Sequence, residues 1–294
     1  MTPGLAALLH PRSDAELFAS LAADEPFVVH GPRAAVQALT ELPFLQSLEA
    51  MLGSWPNTVQ VHLPDVADEA SAIEATPGDA RKLFANGMGL LFNDVHAASP
   101  VLAHWLAAIR ADLGLSTLTQ GRCLVYATPA GKGTAPHFDQ NVNFVLQLHG
   151  TKTWRLAANE QVDRPMTRHT MGQALDPELE TYAHAPMPDE MPAHARSIVL
   201  RPGSLLFVPR GVWHATSAPS DAMSLNFTYT APTWIDLLMA ALRSRLALAN
   251  EWRETAFPAA AEHFDALLQD LAEDARHWNA ADILAATEGE PPPE

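Results

Sequence analysis

The stretch Gly133–Leu156, GTAPHFDQNVNFVLQLHGTKTWRL, constrains this chain more than any other. It opens on a polar turn, presents His137 and Asp139 with one residue between them, and then becomes apolar. Alternate residues of an extended strand share a face, so this imidazole and this carboxylate aim at one point. Among 13 histidines and 34 acidic residues such a pair arises easily by accident. A second stretch, Leu200–His214 (LRPGSLLFVPRGVWH), changes that weighting. There the turn Pro202-Gly203 starts an apolar strand that stops at Pro209-Arg210-Gly211, and His214 follows. Two histidines and one carboxylate at the mouth of a β-barrel form the facial triad that holds Fe(II) and leaves coordination positions open. His137, Asp139 and His214 are therefore the expected metal ligands and catalytic centre.

Composition narrows the class of protein. A chain of 294 residues can bury a full core and hold one large domain or two smaller ones. Its hydrophobic content of 48% describes a globular protein, and no segment approaches 18 uninterrupted apolar residues. The N-terminal MTPGLAALLHPRSDAE lacks a basic flank and a cleavage pattern, so a cytoplasmic location is expected. A single cysteine, Cys123, excludes an intrachain disulfide framework and fits a reducing compartment. It lies in the strand-like run CLVYA, where a buried, inert thiol is expected. The net charge of −16 opposes phosphate backbones and disfavours nucleic acid. An acidic surface favours a basic partner, or serves solubility alone.

Along the chain, Ser13–Glu16 has the pattern of a capping box, followed by a short strand at Phe27–His30. Helical segments follow near Ala34–Thr40 and Phe44–Leu52, then alternation at Val59–Leu63 reads as a strand. His30 and His62 read as structural. Met88–Phe92 reads as a strand, and Ser99-Pro100 starts a helix whose stripe of Val101, Leu102, Trp105, Leu106, Ile109 and Leu113 packs on the barrel. Strands are expected at Cys123–Thr128, Ser197–Leu200, Ser204–Val208 and Ala222–Thr230. Residues 157–195, between the two metal-ligand stretches, show little periodicity and read as an inserted loop of the kind that carries specificity. The spacing of His169, His184 and His194 within it matches no zinc pattern. After Thr233 come two amphipathic helices, one capped by Thr233–Asp236 and one from Pro258 to about His277. The closing EGEPPPE reads as disordered.

Four motifs, PHFDQ, LQLHGTKTWRL, RPGSLLFVPRGVWH and SLNFTY, resemble in order those of the JmjC-type, cupin-fold Fe(II)/2-oxoglutarate oxygenases, over roughly residues 88–229. The resemblance is greatest to the ribosomal-oxygenase branch, which hydroxylates protein side chains. It implies a mostly β fold with flanking helices: a double-stranded β-helix (cupin or jelly-roll) barrel plus a C-terminal helical dimerisation segment. The implied divisions are an α/β flanking segment at 1–87, the catalytic barrel at 88–232, helices at 233–285 and a tail at 286–294. It implies Fe(II), O2 and 2-oxoglutarate, the last decarboxylated to succinate. By the same resemblance Lys152 matches the cation that pairs with the distal carboxylate of the cosubstrate. Thr134 matches a hydroxyl donor to it, and Asn143 and Asn226 match polar positions near its metal-bound end. Trp154 and Trp213 read as barrel packing. The implied function is hydroxylation of a protein or peptide side chain, with no nucleic acid or membrane partner and a homodimer through the C-terminal helices as the assembly, packing of those helices on their own barrel being the alternative. Two alternatives stay open. One is a hydroxylase of a free amino acid or peptide natural product, and the other is a metal-free or zinc-bound cupin module without catalysis.

Overall fold

The computed structural model describes residues 3–31, 34–63, 71–257 and 261–288. In the N-terminal third, α1 spans Leu5–Leu9 and α2 Asp14–Ala22, the latter closed by the expected capping box between Ser13 and Glu16. Strand β1 is Phe27–Val29, followed by α3 (Ala34–Thr40), α4 (Leu48–Ser54) and β2 (Val59–His62). The expected helix Phe44–Leu52 is instead a 3-10 turn at Pro43–Leu45 and then α4, because the Ser47 side chain accepts from Ala50 N and starts a new helix. Strand β3 (Ala72–Ala75) and α5 (Pro77–Ala85) precede β4 (Gly89–Phe92). Next comes α6 (Pro100–Asp112), with Ser99 as its cap; Leu102, Trp105, Leu106 and Ile109 of the expected stripe are buried, whereas Val101, one position off that face, is exposed.

The central strands are β5 (Gln120–Thr128), β6 (Gly133–Phe138), β7 (Val142–His149) and β8 (Lys152–Ala157). The segment 157–195 is more ordered than its composition suggests. It holds β9 (His169–Thr170) and α7 (Pro177–Tyr182). It also closes a small core of its own, in which Val162, Met171, Leu179 and Met191 pack with Phe138 and Trp213. Four further strands follow: β10 (Arg196–Leu200), β11 (Leu205–Val208), β12 (Trp213–Ser217) and β13 (Ala222–Thr230).

All strand pairs are antiparallel, in two sheets of order β1-β11-β7-β13-β5-β4-β2-β3 and β10-β8-β12-β6-β9. Residues expected to flank the barrel, 1–87, therefore extend its larger sheet at both edges, through β1 at one and β2 and β3 at the other. The fold is mixed α/β rather than mostly β, since the helices hold more residues than the strands. The buried Phe144, Phe207, Phe227 and Leu225 form the layer on the larger sheet's other face, turned away from the cavity that Asn143 and Asn226 line, each contributing about 1.5–3 kcal/mol. Cys123 on β5 is fully buried, with its Sγ 3.9 Å from Leu102 O. Burial pushes its thiol pKa far up.

Two glycines permit close backbone approaches. A Cβ on Gly133 would lie 1.8 Å from Thr216 O, so only glycine lets β6 begin against β12. Gly150, at φ +65° between β7 and β8, would likewise drive a Cβ to 1.9 Å from Asp221 O.

The chain divides into two compact units, Met1–Gly114 with Gln120–Thr230, and Leu115–Thr119 with Ala231–Glu294. In the second unit α8 (Trp234–Leu246) begins at a capping box between Thr233 and Asp236. Helix α9 spans Ala261–Ala275, and Arg245 pairs with Asp274 at 2.6 Å to join α8 to it. A third helix, α10 (Ala280–Glu288), was not expected from sequence. It takes in residues 286–288 of the anticipated tail, because the Asn279 side chain accepts from Ala281 N and starts another helix. Residues 289–294 lie outside the described residues. Among the described residues no helix is long and apolar enough to cross a membrane.

Candidate metal and cosubstrate site

The pairing of β6 with β12 sets the geometry of the triad. Their register places His214 directly opposite His137, with the ring centroids 4.1 Å apart. Asp139 lies just beyond the end of β6. Its Oδ2 is 3.6 Å from His214 Nε2 and 4.0 Å from His137 Nε2. One ligand atom from each of the three residues lies within 4.8 Å of the others. This spacing admits an ion held at about 2.0–2.2 Å from two nitrogens and one oxygen.

The tautomers follow from the hydrogen bonds. His137 Nδ1 is 2.8 Å from Ala135 O and His214 Nδ1 is 2.9 Å from Val212 O. A carbonyl only accepts, so both Nδ1 atoms carry the proton and both Nε2 lone pairs face the shared point. Burial holds the His214 pKa well below the ordinary histidine range, with the neighbouring His137 ring adding to the effect, which keeps its ring neutral. Burial raises the Asp139 pKa, while His137 and the Asn143 amide act against that shift.

These residues open onto a cavity of about 490 Å³ lined from both sheets. All seven site residues expected from sequence, His137, Asp139, His214, Lys152, Thr134, Asn143 and Asn226, line it. Lys152 is 4% exposed, and no hydrogen bond or ion pair reaches its ammonium among the described residues. Burial drops its pKa to about 8. Thr134 Oγ1 is 2.9 Å from Thr216 Oγ1. The two asparagines differ. The Asn143 amide is engaged within the protein, accepting from Thr228 Oγ1 at 2.6 Å and donating to Asn141 Oδ1 at 3.1 Å. It also donates to Asp139 Oδ2 at 3.4 Å. The buried Asn226 Oδ1 has no hydrogen-bond partner among the described residues.

Sequence reasoning missed part of the wall. Trp154 is cavity wall as well as packing: its indole stacks on His214 at 5.6 Å and 25°, and its buried Nε1 has no partner among the described residues. It shares the inward face of β8 with Lys152, two residues away, an alternation that was legible. Trp213 is packing as expected, edge-on to Phe138 at 4.7 Å. His62, expected to be structural, lines the cavity, and burial followed by the charge on Arg168 lowers its pKa. His30 does bond within the fold, to Ser204 Oγ at 3.1 Å. Tyr126, Gln60, Asn93 and Arg122 also line the cavity, with Arg122 tied to Asp94 at 2.9 Å. Arg168, from the 157–195 segment, reaches Asp139 Oδ1 at 3.6 Å.

A fold of two antiparallel sheets around a His-x-Asp…His triad defines the cupin-type oxygenase class. The chain belongs to the JmjC-domain family, whose model (JmjC domain) matches residues 106–237. It is 30% identical over 285 residues to the uncharacterized protein YxbC of Bacillus subtilis, an alignment covering 90% of this chain and 86% of YxbC. It is 36% identical over 132 residues to the bifunctional lysine-specific demethylase and histidyl-hydroxylase NO66 of Dictyostelium discoideum. That match covers 43% of this chain and 23% of NO66, so the chain spans about a quarter of that relative. The structure of YcfD, a ribosomal oxygenase from Escherichia coli in complex with cobalt and succinic acid, has the same fold. It matches with a TM-score of 0.51 at 16% identity, over 94% of this chain and 69% of YcfD.

Proposed function

We propose that this protein is an Fe(II)- and 2-oxoglutarate-dependent hydroxylase of a protein or peptide side chain, releasing succinate and CO2. The observation that carries the reading is Lys152, a buried ammonium without a counter-ion among the described residues, on the wall of the cavity that holds the triad. An unpaired buried charge is expensive, and a ligand carboxylate removes that cost. The donor set fits the metal, since two neutral imidazoles and one carboxylate suit Fe(II) with positions left open. The wall fits a dianion. Beside Lys152 its described lining holds Lys132 and Arg122. The chain as a whole carries nearly twice as many acidic as basic residues.

In this reading His137, Asp139 and His214 hold the metal, and Lys152 fixes the distal carboxylate of the cosubstrate. Thr134 flanks that carboxylate, and Asn226 lies toward the metal-bound end. Asn143 acts on Asp139, donating to its Oδ2 so that the carboxylate does not swing. The Trp154 indole covers His214 and keeps water off the ring. Iron and 2-oxoglutarate together supply the oxidising power, and the chain supplies orientation and a water-poor chamber.

The test is titration of 2-oxoglutarate into anaerobic, iron-loaded protein. Lys152→Met keeps most of the stem and loses the charge. A charge-assisted hydrogen bond is worth about 1.5–3 kcal/mol, so binding weakens roughly 10–150-fold while iron affinity holds. Equal cosubstrate affinity in wild type and Lys152→Met would refute the reading.

The substrate is read as a protein because the relative NO66 is named a bifunctional lysine-specific demethylase and histidyl-hydroxylase and YcfD a ribosomal oxygenase. The assembly is read as a homodimer through α8, whose Trp234, Ile235 and Met239 are each about 60% exposed.

A further inference from the structure

Arg168 serves neither the triad nor the cosubstrate in that reading. Its position is built with more care than a loop arginine needs. Strand β9 pairs with β6 in a register that sets Thr170 against His137 and His169 against Phe138. One step further along that register, position 168 stands opposite position 139. On one side of Arg168, Arg210 donates to Pro165 O at 2.7 Å and to Arg164 O at 2.8 Å, and Met166 N donates to Tyr182 Oη at 2.9 Å. On the other side the His169 ring packs on Phe138 and Trp213, and Met171 N donates to Pro136 O at 2.9 Å. The segment is therefore pinned before and after Arg168.

The two carboxylate oxygens of Asp139 have different neighbours. Oδ2 faces both His Nε2 atoms and the Asn143 amide. Oδ1 faces Arg168 Nε at 3.6 Å. A carboxylate with a free second oxygen can rotate and chelate an ion through both, closing a position that a facial triad must keep open. Groups that hold the outer atoms of metal ligands orient them and tune affinity.

We propose that Arg168 is a positioning residue for the metal carboxylate: its guanidinium holds Oδ1 of Asp139, so that Oδ2 alone is presented to the ion. The 157–195 segment is thereby part of the metal centre through one side chain. The inference rests on the reading that the triad holds a divalent metal.

The experiment measures Mn(II) affinity by calorimetry, without cosubstrate, for wild type, Arg168→Gln, Arg168→Met and Arg168→Lys. Visible absorption of the Co(II)-loaded proteins reports coordination. Arg168→Gln and Arg168→Met are expected to bind Mn(II) about 10–100-fold more weakly and to shift the Co(II) bands, with Arg168→Lys recovering part of the loss. At saturating metal, 2-oxoglutarate affinity stays at the wild-type value, because Lys152 is untouched; a merely structural defect would lower both. Melting of the metal-free variants checks folding, and Arg168→Met, which keeps the stem, decides the matter if Arg168→Gln does not fold. Wild-type Mn(II) affinity with unshifted Co(II) bands in a folded variant would overturn the inference. A wild-type protein that binds no divalent metal would instead overturn the reading beneath it.

Discussion

Lys152 stands where a lysine is costly, and the cost is measurable. Its folded pKa of about 8 is lower than the ordinary lysine value, so below pH 8 the folded protein carries a charge it would shed if it could. Between about pH 8 and 10.5 the unfolded chain binds more protons than the folded one, and stability rises with pH across that window. Below it the full penalty applies, on the order of 3 kcal/mol from the conversion between pKa shift and free energy. Lys152→Met is therefore expected to melt higher than wild type at neutral pH when both are free of cosubstrate, with the gap closing by pH 10.5. Thermal melts across that range check this, and a variant that melts lower at pH 7 would contradict it. Added 2-oxoglutarate should raise the melting temperature of wild type and leave that of Lys152→Met nearly unmoved.

At the scale of elements, the site depends on how closely β6 lies against β12. Gly133→Ala places a Cβ on the Thr216 carbonyl, and neither backbone can yield without moving the pair that aligns His137 with His214. Overpacking of this kind costs about 1–3 kcal/mol. The expected result is a lower melting temperature together with weakened metal binding, and calorimetry with Mn(II) reads both effects apart.

The same elements show what was legible beforehand. His137, Asp139 and His214 could be read because their residue types and strand spacing are local signals. The capping boxes at Ser13 and Thr233 were local too. Helices α5 and α10 carried readable caps at Thr76 and Asn279 that went unread. Arg168 was not readable in this way. Its meaning comes from a two-residue strand registered against β6, and nothing near it in sequence announces that pairing. His62 is similar: an alternating strand gives its face, but not that the face borders a cavity.

For the whole molecule, the unit formed by Ala231–Glu294 with Leu115–Thr119 carries the largest side chains left in solvent. Trp234, Ile235, Leu238 and Met239 follow one another along α8 with 44–60% exposure, an apolar cluster of the kind that marks an interface. Light scattering at micromolar concentration is expected to give twice 31.8 kDa, and the double change Ile235→Asp with Met239→Asp to give the single mass. Each subunit carries a net charge of −16, so association should tighten as salt screens the repulsion between copies. A dimer that dissociates on raising salt would argue against α8 as the contact.

The lone thiol gives the molecule one more use. Cys123 is sealed on β5 beneath α6, and its depressed acidity leaves almost no thiolate at neutral pH. A thiol reagent added to the native protein therefore labels it only as fast as the larger sheet comes apart, which makes its rate a clock for opening of the barrel. Any cysteine placed on the surface would react first and alone, so fluorophores and spin labels can be positioned without clearing the sequence of competing sulfur.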